Sequence, residues 1–302
     1  MSEARTGTVF DIGYQRYTGA REGRGRSRLA LYRNGLRIAL GLGRGPRAKA
    51  LPFFFIGVLS AIGLVMAIVA GAANRLAGPG AAERANLPSH VDYYGIASII
   101  LFVFAAVVAP ELLCRDRREG TIHLYLVRPL TGSDYVAARW AAFLTVVTAA
   151  AWLPQLVLWL GLSMGDPAPL AYVRQHWRDV PRFLASGLAM AAYTTTLALL
   201  TASFTTRRAY ASVFLVGLFV ITTPFTAGLA EELDGPAGQW LSMFNLTNIP
   251  LHVNDVLFGE ASELTENAPA RTLPAAVRVG WFFAWTLLPG AALWWRYRRL
   301  AP

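Results

Sequence analysis

Leu51-Pro52-Phe53-Phe54-Phe55-Ile56-Gly57-Val58-Leu59-Ser60-Ala61-Ile62-Gly63-Leu64-Val65-Met66-Ala67-Ile68-Val69-Ala70-Gly71-Ala72-Ala73 contains no charged side chain. As an α-helix this run is about 34 Å long, enough to cross about 30 Å of hydrocarbon. Working outward, similar apolar runs occur at 93–113, 135–162, 181–205, 209–230 and 276–295. With 51–73 they make six spans. The fold class is therefore an all-α integral membrane protein. The bulk composition agrees: 15% of residues are charged and mean hydropathy is +0.40, against about 25% charged in ordinary soluble domains.

The basic residues orient the spans. The chain has 28 Lys and Arg and a net charge of +10. Eleven of these bases lie before the first span: Arg5, Arg16, Arg21, Arg24, Arg26, Arg28, Arg33, Arg37, Arg44, Arg47 and Lys49. Arg115, Arg117, Arg118, Arg128 and Arg139 follow the second span, Arg207 and Arg208 the fourth, and Arg296, Arg298 and Arg299 the sixth. All of them fall on one side when the spans alternate. Positive residues are retained on the cytoplasmic side, so both termini are expected in the cytoplasm. This placement points to membrane rather than nucleic acid as the partner of the positive charge. The polar first 50 residues lead to the expectation of no cleaved secretory signal.

Four segments follow. Residues 1–50 form a cytoplasmic basic tail with an interfacial helix, 51–295 the transmembrane domain, 231–275 an extracytoplasmic loop within it, and 296–302 a cytoplasmic tail. Residues 231–275 are acidic and long for a bare loop, so short helices are expected there. On a helical wheel, Arg26, Arg33, Arg37 and Arg44 fall on one stripe, with Leu29, Tyr32, Leu36, Ala39 and Leu40 beside it. Such a helix over 26–45 suits the membrane surface, its guanidinium groups toward lipid phosphates.

The loop between the second and third spans is the most informative: Pro110-Glu111-Leu112-Leu113-Cys114-Arg115-Asp116-Arg117-Arg118-Glu119-Gly120-Thr121-Ile122-His123-Leu124-Tyr125-Leu126-Val127-Arg128-Pro129-Leu130-Thr131-Gly132-Ser133-Asp134-Tyr135. Gly120 is a helix stop. Thr121 can cap a short apolar helix that Pro129 ends, and Ser133 can cap the third span. A helix of two turns, apolar and rimmed by charge, is a docking feature.

Arg118-Glu119-Gly120-Thr121, the apolar residues Ile122, Leu124 and Tyr125, and then Arg128-Pro129 resemble the signature of ABC-2 type transporter permeases. The layout of basic interfacial helix, six spans and larger outer loop is similar as well. The resemblance implies a non-catalytic permease subunit of an ABC exporter, working as a dimer, most simply a homodimer. The short helix then corresponds to the coupling helix seated on a separate ATP-binding subunit, present in two copies. It assigns ATPase coupling to Arg118, Glu119, Gly120, Thr121, Ile122, Leu124, Tyr125, Arg128 and Pro129. One departure is Gly132, where many relatives carry Arg or Lys. ATP and magnesium would belong to the partner, with no cofactor in this chain. No P-loop is present: Gly43-Arg44-Gly45-Pro46-Arg47-Ala48-Lys49-Ala50 has the wrong spacing and no hydroxyl after its lysine.

Charge-poor spans favour an amphipathic or lipid-like cargo. Glu111, Thr195 and Thr223 are the candidate gate or pathway residues. His90, His123, His176 and His252 lie apart in sequence, read as surface loop residues and suggest no metal site. Cys114 has no partner for an internal disulfide. The alternative functions are a membrane-complex assembly protein or a secondary transporter without an ATPase partner.

Overall fold

The computed structural model describes residues 23–78, 80–126, 130–166, 168–233 and 235–299. Every regular element among them is helical. In chain order these are α1 (Arg24–Ala39), α2 (Pro46–Ala77), α3 (Ala81–Arg84), α4 (His90–Arg118), α5 (Ile122–Leu126), α6 (Gly132–Gly165), α7 (Pro169–His176), α8 (Asp179–Ser203), α9 (Arg208–Glu232), α10 (Pro236–Ser242), α11 (Asn248–Phe258), a 3₁₀ turn (Pro269–Thr272) and α12 (Ala275–Arg298). Six of them, α2, α4, α6, α8, α9 and α12, are long and apolar enough to cross a membrane. They coincide with the six apolar runs of the sequence. One end of the bundle carries α1, α5 and the end of α12, and is called the terminal end below. The distal end carries α3, α7, α10 and α11.

The core lies on α4 and α8. Tyr93, Leu101, Phe104, Leu112, Phe183, Tyr193 and Leu199 are fully buried. α9 and α12 instead turn Phe214, Ile221, Phe225, Leu287 and Leu288 outward, as helices bathed in lipid or facing another protein do. α2 meets α6 through small residues. A Cβ at Gly63 would stand 2.8 Å from the Pro154 carbonyl oxygen, and one at Gly161 would stand 2.5 Å from the Ala67 Cβ. Small residues let membrane helices approach backbone to backbone, where dispersion rather than water exclusion holds them.

Two helix starts differ from the sequence reading. Thr131, not Ser133, caps α6. Its hydroxyl accepts from the Asp134 amide at 3.3 Å, and the Asp134 carboxylate accepts from the Thr131 amide at 3.0 Å. This reciprocal capping box needs its acid three residues beyond the cap, a spacing that Thr131 has and Ser133 lacks. Thr121 donates its hydroxyl to the Asp116 carbonyl at 3.3 Å rather than capping α5. α1 also differs. It ends at Ala39 rather than near 45, because Gly41 takes φ +66° and the Leu42 amide reaches back to the Arg37 carbonyl at 2.7 Å. Its buried line is Leu31, Gly35 and Ala39, seated on α6. The arc through Leu29 and Tyr32 is therefore turned partly away. Residues 231–275 do contain short elements, α10, α11 and the 3₁₀ turn.

Two histidines correct the sequence reading. His90 and His252 are buried, at 7% and 1% exposure. His90 opens α4 and packs between Gln155 of α6 and Phe183 of α8, and His252 lies on α11, which packs on α8 and α12.

Candidate functional site

α4 runs past the apolar stretch into Arg115, Asp116, Arg117 and Arg118. Glu119 is its C-cap and Gly120 follows at φ +67°. The Thr121 amide closes back onto the Asp116 carbonyl at 3.0 Å, which satisfies one of the orphan carbonyls of the helix end. A Cβ at Gly120 would meet nothing within 4 Å, so glycine is required there by backbone conformation and not by space.

The turn delivers α5. Ile122 is buried against the core, while Leu124 is 73% exposed and points away from the bundle. Tyr125 faces inward. Its ring stacks on Tyr135 at 5.8 Å, and Tyr135 stacks on Tyr297 at 5.7 Å. The three rings link α5, α6 and α12. Arg118 and Glu119 are exposed and lie 3.8 Å apart, and Arg115 also pairs with Glu119, at 3.0 Å. Arg128 and Pro129 lie outside the described residues.

Beneath the stack is a buried ion pair. The Arg139 side chain is fully buried, and its Nη2 donates to Asp116 Oδ2 at 2.6 Å. The Tyr135 hydroxyl donates to the same oxygen at 2.7 Å. Arg139 Nε and Nη1 have no acceptor among the described residues. The Tyr125 and Tyr135 ring faces, 5.8 and 5.4 Å from Arg139 Cζ, take up that charge instead. Removing one member of such a pair leaves a charge stranded in apolar surroundings. The inner face of α5 therefore rests on the best-buried charge of the bundle.

Neighbouring cations fasten the surrounding helix ends. Arg117 and Arg296 both donate to the Ser203 carbonyl, and Cys114 to the Ala202 carbonyl, so the last turn of α8 is capped by α4 and α12. Asp134, the acid of the α6 capping box, also accepts from Arg24 at 2.8 Å and from Arg28 at 2.7 Å. α1 is thereby held on the start of α6. Gly132 completes this corner, since a Cβ there would stand 2.2 Å from the Tyr297 carbonyl.

The other residues singled out in the sequence fall as follows. Glu111 pairs with Arg44 at 3.0 Å and contacts Arg208. It thus joins the α1–α2 turn, α4 and α9. Arg26, Arg33 and Arg37 lie on the exposed side of α1. Arg44 leaves the expected stripe, because α1 has ended before it and Glu111 holds it against the bundle. Thr223 shares a hydrogen bond of 2.7 Å with Thr247 and lines a cavity of about 420 Å³ between α4 and α9. Thr195 is fully buried in α8, away from that cavity. The structure does not bring Glu111, Thr195 and Thr223 into one site.

Asp116, Arg139, Tyr297 and the Arg24–Arg28–Asp134 cluster escaped the sequence reading as structural partners. The available signal was Arg139 itself, an ionisable residue inside an otherwise apolar run. No group of three or more His, Cys, Asp and Glu suited to a metal occurs among the described residues.

The family model of the ABC-2 family transporter proteins matches residues 49–300. The chain belongs to that family. It is the membrane component of an ABC transporter and a multi-pass membrane protein. ABC-2 permeases are in general non-catalytic membrane components that work with an ATP-binding subunit. No curated protein matches this permease in sequence. The matched region begins within α2 and takes in α5 with its tyrosine stack, and it leaves out α1.

Proposed function

We propose that this ABC-2 permease is the membrane subunit of an ATP-driven exporter, with α5 as its coupling helix and the terminal end in the cytoplasm. A separate ATP-binding subunit docks on the outward face of α5, around Leu124, Arg118 and Glu119. Two permease copies and two ATPase copies form the working unit. ATP and magnesium belong to the ATPase. The observation that carries this reading is the two-sided construction of α5. Its outer face is exposed and apolar within a charged rim, and its inner face is tied by Tyr125 and Ile122 to α6 and α12. A push on Leu124 therefore reaches the long helices without passing through a flexible loop.

Cargo is proposed to be amphipathic or lipid-like. The cavity between α4 and α9 has walls of Ile99, Phe102, Val216 and Phe219 and a polar end at Thr223, Asn245 and Thr247. An apolar body with a polar tip fits such a wall. The positive-inside distribution supports the orientation.

The test is recovery of the permease from native membranes in mild detergent, after crosslinking from a cysteine placed at Leu124. The expected product is a stoichiometric soluble chain carrying a P-loop. Recovery of no such chain, with crosslinks confined to the permease itself, would refute the coupling role. Labelling of cysteines from outside should reach 263 and miss 118, and the reverse pattern would invert the orientation.

A further inference from the structure

A cavity of about 400 Å³ opens at the terminal end, where the last turns of α8 and α12 meet the end of α4. Leu200 and Ala292, the lining residues that lie furthest inside the two spans, are apolar, and Phe204 and Trp295 add aromatic walls. Arg117, Arg296 and Arg299 line it at the helix ends. No carboxylate lines it among the described residues. The acids nearest in sequence are engaged elsewhere, Asp116 by Arg139 and Glu119 by Arg115 and Arg118. None of Arg117, Arg296, Arg298 and Arg299 pairs with a carboxylate among the described residues.

The three cations are held in place without being neutralised. Arg296 donates its Nε to the Ser203 carbonyl at 3.1 Å, and its Cζ lies 4.7 Å from the centre of the Phe204 ring. Arg117 donates to the same carbonyl. Arg299 lies over Trp295, its Cζ 3.6 Å from the ring centre. A guanidinium stacked on a ring keeps its planar fork of N–H groups for an acceptor at its edge. An apolar track leads to these groups. Leu288, Ala292, Trp295 and Arg299 recur at helical spacing along one exposed side of α12, with Leu288 70% exposed and Trp295 53% exposed. The track is about 16 Å long, from the apolar span to the cationic end.

We propose that this cavity is a binding site for an anionic phospholipid. Its headgroup phosphate sits against Arg296 and Arg299, and an acyl chain runs inward along Leu288, Ala292 and Leu200. Guanidinium groups recognise phosphate oxygens through paired N–H donors. A basic pocket between membrane helices is the surface that an anionic headgroup complements. A zwitterionic lipid brings an ammonium among three arginines and is disfavoured. A soluble phosphate matches the charge and leaves the apolar track uncovered. The site is separate from the exposed arginines of α1, which packs on α6 and α4, and it needs no ATPase.

Native mass spectrometry of the delipidated full chain in a neutral detergent tests the site, with titrations of phosphatidylglycerol, phosphatidylcholine and glycerol phosphate. Phosphatidylglycerol should be retained about tenfold more tightly than phosphatidylcholine, and glycerol phosphate should not be retained. The double variant Arg296→Gln, Arg299→Gln should weaken phosphatidylglycerol about tenfold or more. Ala292→Phe should weaken it as well, by filling the apolar part of the cavity without touching a charge. Position 292 is exposed, so an unchanged melting temperature of that variant separates loss of binding from loss of fold. Arg33→Gln with Arg37→Gln, on α1, should leave the tightly held lipid in place. Phosphatidylcholine or glycerol phosphate retained as strongly, no lipid retained, retention indifferent to both cavity variants, or loss in the α1 variant alone would overturn the site.

Discussion

The two ends of the bundle handle charge in opposite ways. At the terminal end each carboxylate among the described residues has an arginine: Glu111 has Arg44 and Arg208, Asp116 has Arg139, Asp134 has Arg24 and Arg28, and Glu119 has Arg115 and Arg118. At the distal end four carboxylates share a cavity lined by a single arginine. Paired charge between helices makes a stiff joint, because separating the members exposes each to apolar surroundings. The distal cavity keeps an excess of acidic charge, its one guanidinium, Arg182, pairing with Asp179 at 3.1 Å. The terminal end is tied together by ion pairs, and the distal end carries a net-acidic cavity.

The strongest way to break this contrast is Asp116→Ala. It leaves Arg139 buried without its anion, and a loss of about 3–5 kcal/mol is expected, read as a collapse of folded yield and melting temperature. Replacing both residues, Asp116→Leu with Arg139→Met, should recover much of that loss, since the stranded charge is gone. A single variant as stable as the parent would mean that the joint is not stiff.

The next effect in size belongs to the distal end. Burial, with the Arg278 charge beside it, lowers the His252 pKa to about 4 from 6.5. The unfolded chain therefore takes up the proton first. His252 contributes its full share of stability above pH 6.5, loses it as pH falls through the window from 6.5 to about 4, and changes nothing further below. The full loss is worth roughly 3 kcal/mol. Asp255, on the same helix, is shifted up by burial, so its own contribution is lost as pH rises and runs against that of His252. Melting curves of the parent and His252→Leu in detergent between pH 7 and 4 separate the two. The parent should lose more stability than the variant on acidification, and parallel curves would refute the assignment.

Gly120→Val sharpens the terminal side. A β-branched residue at φ +67° costs about 1–2 kcal/mol, with open space around it. The bundle should stay folded while cargo-stimulated ATP hydrolysis of the reconstituted complex is lost. Retained stimulation would exclude the α5 turn as the transmitting element. The smallest effect is expected for Arg33→Gln with Arg37→Gln, on the exposed side of α1. Stability should move by less than about 0.5 kcal/mol, while binding of the purified chain to anionic vesicles weakens. A larger drop in stability would place these side chains in a joint of their own.

The parts of the candidate site that were legible in the sequence are local. Gly120 stops α4 because the αL turn needs no distant partner, and the short apolar run after it reads as a helix for the same reason. Thr131 with Asp134 was equally local, a capping box hidden by the competing hydroxyl at Ser133. The pairing of Asp116 with Arg139 was not legible: 23 residues and a turn separate them, and a cationic count of the loop assigns Arg139 to topology. The burial of His252 was not legible either, since 231–275 is acidic and reads as a solvated loop until α11 is laid on α8.

By itself the sequence determined that this chain lives in a membrane, how many times it crosses, and that α4 stops at Gly120, because apolar length and turn chemistry are sums over neighbouring residues. Tertiary structure alone decided which charges meet. The arginines of α1 could have faced lipid phosphates, and two of them face Asp134 instead. Four acids of the distal end, Glu83, Asp166, Asp179 and Glu260, could have been scattered in water, and they line one cavity. Such pairings depend on how helices far apart in the chain are rotated and staggered against each other, and packing fixes those angles through contacts such as Gly63 on Pro154 and Gly132 on Tyr297.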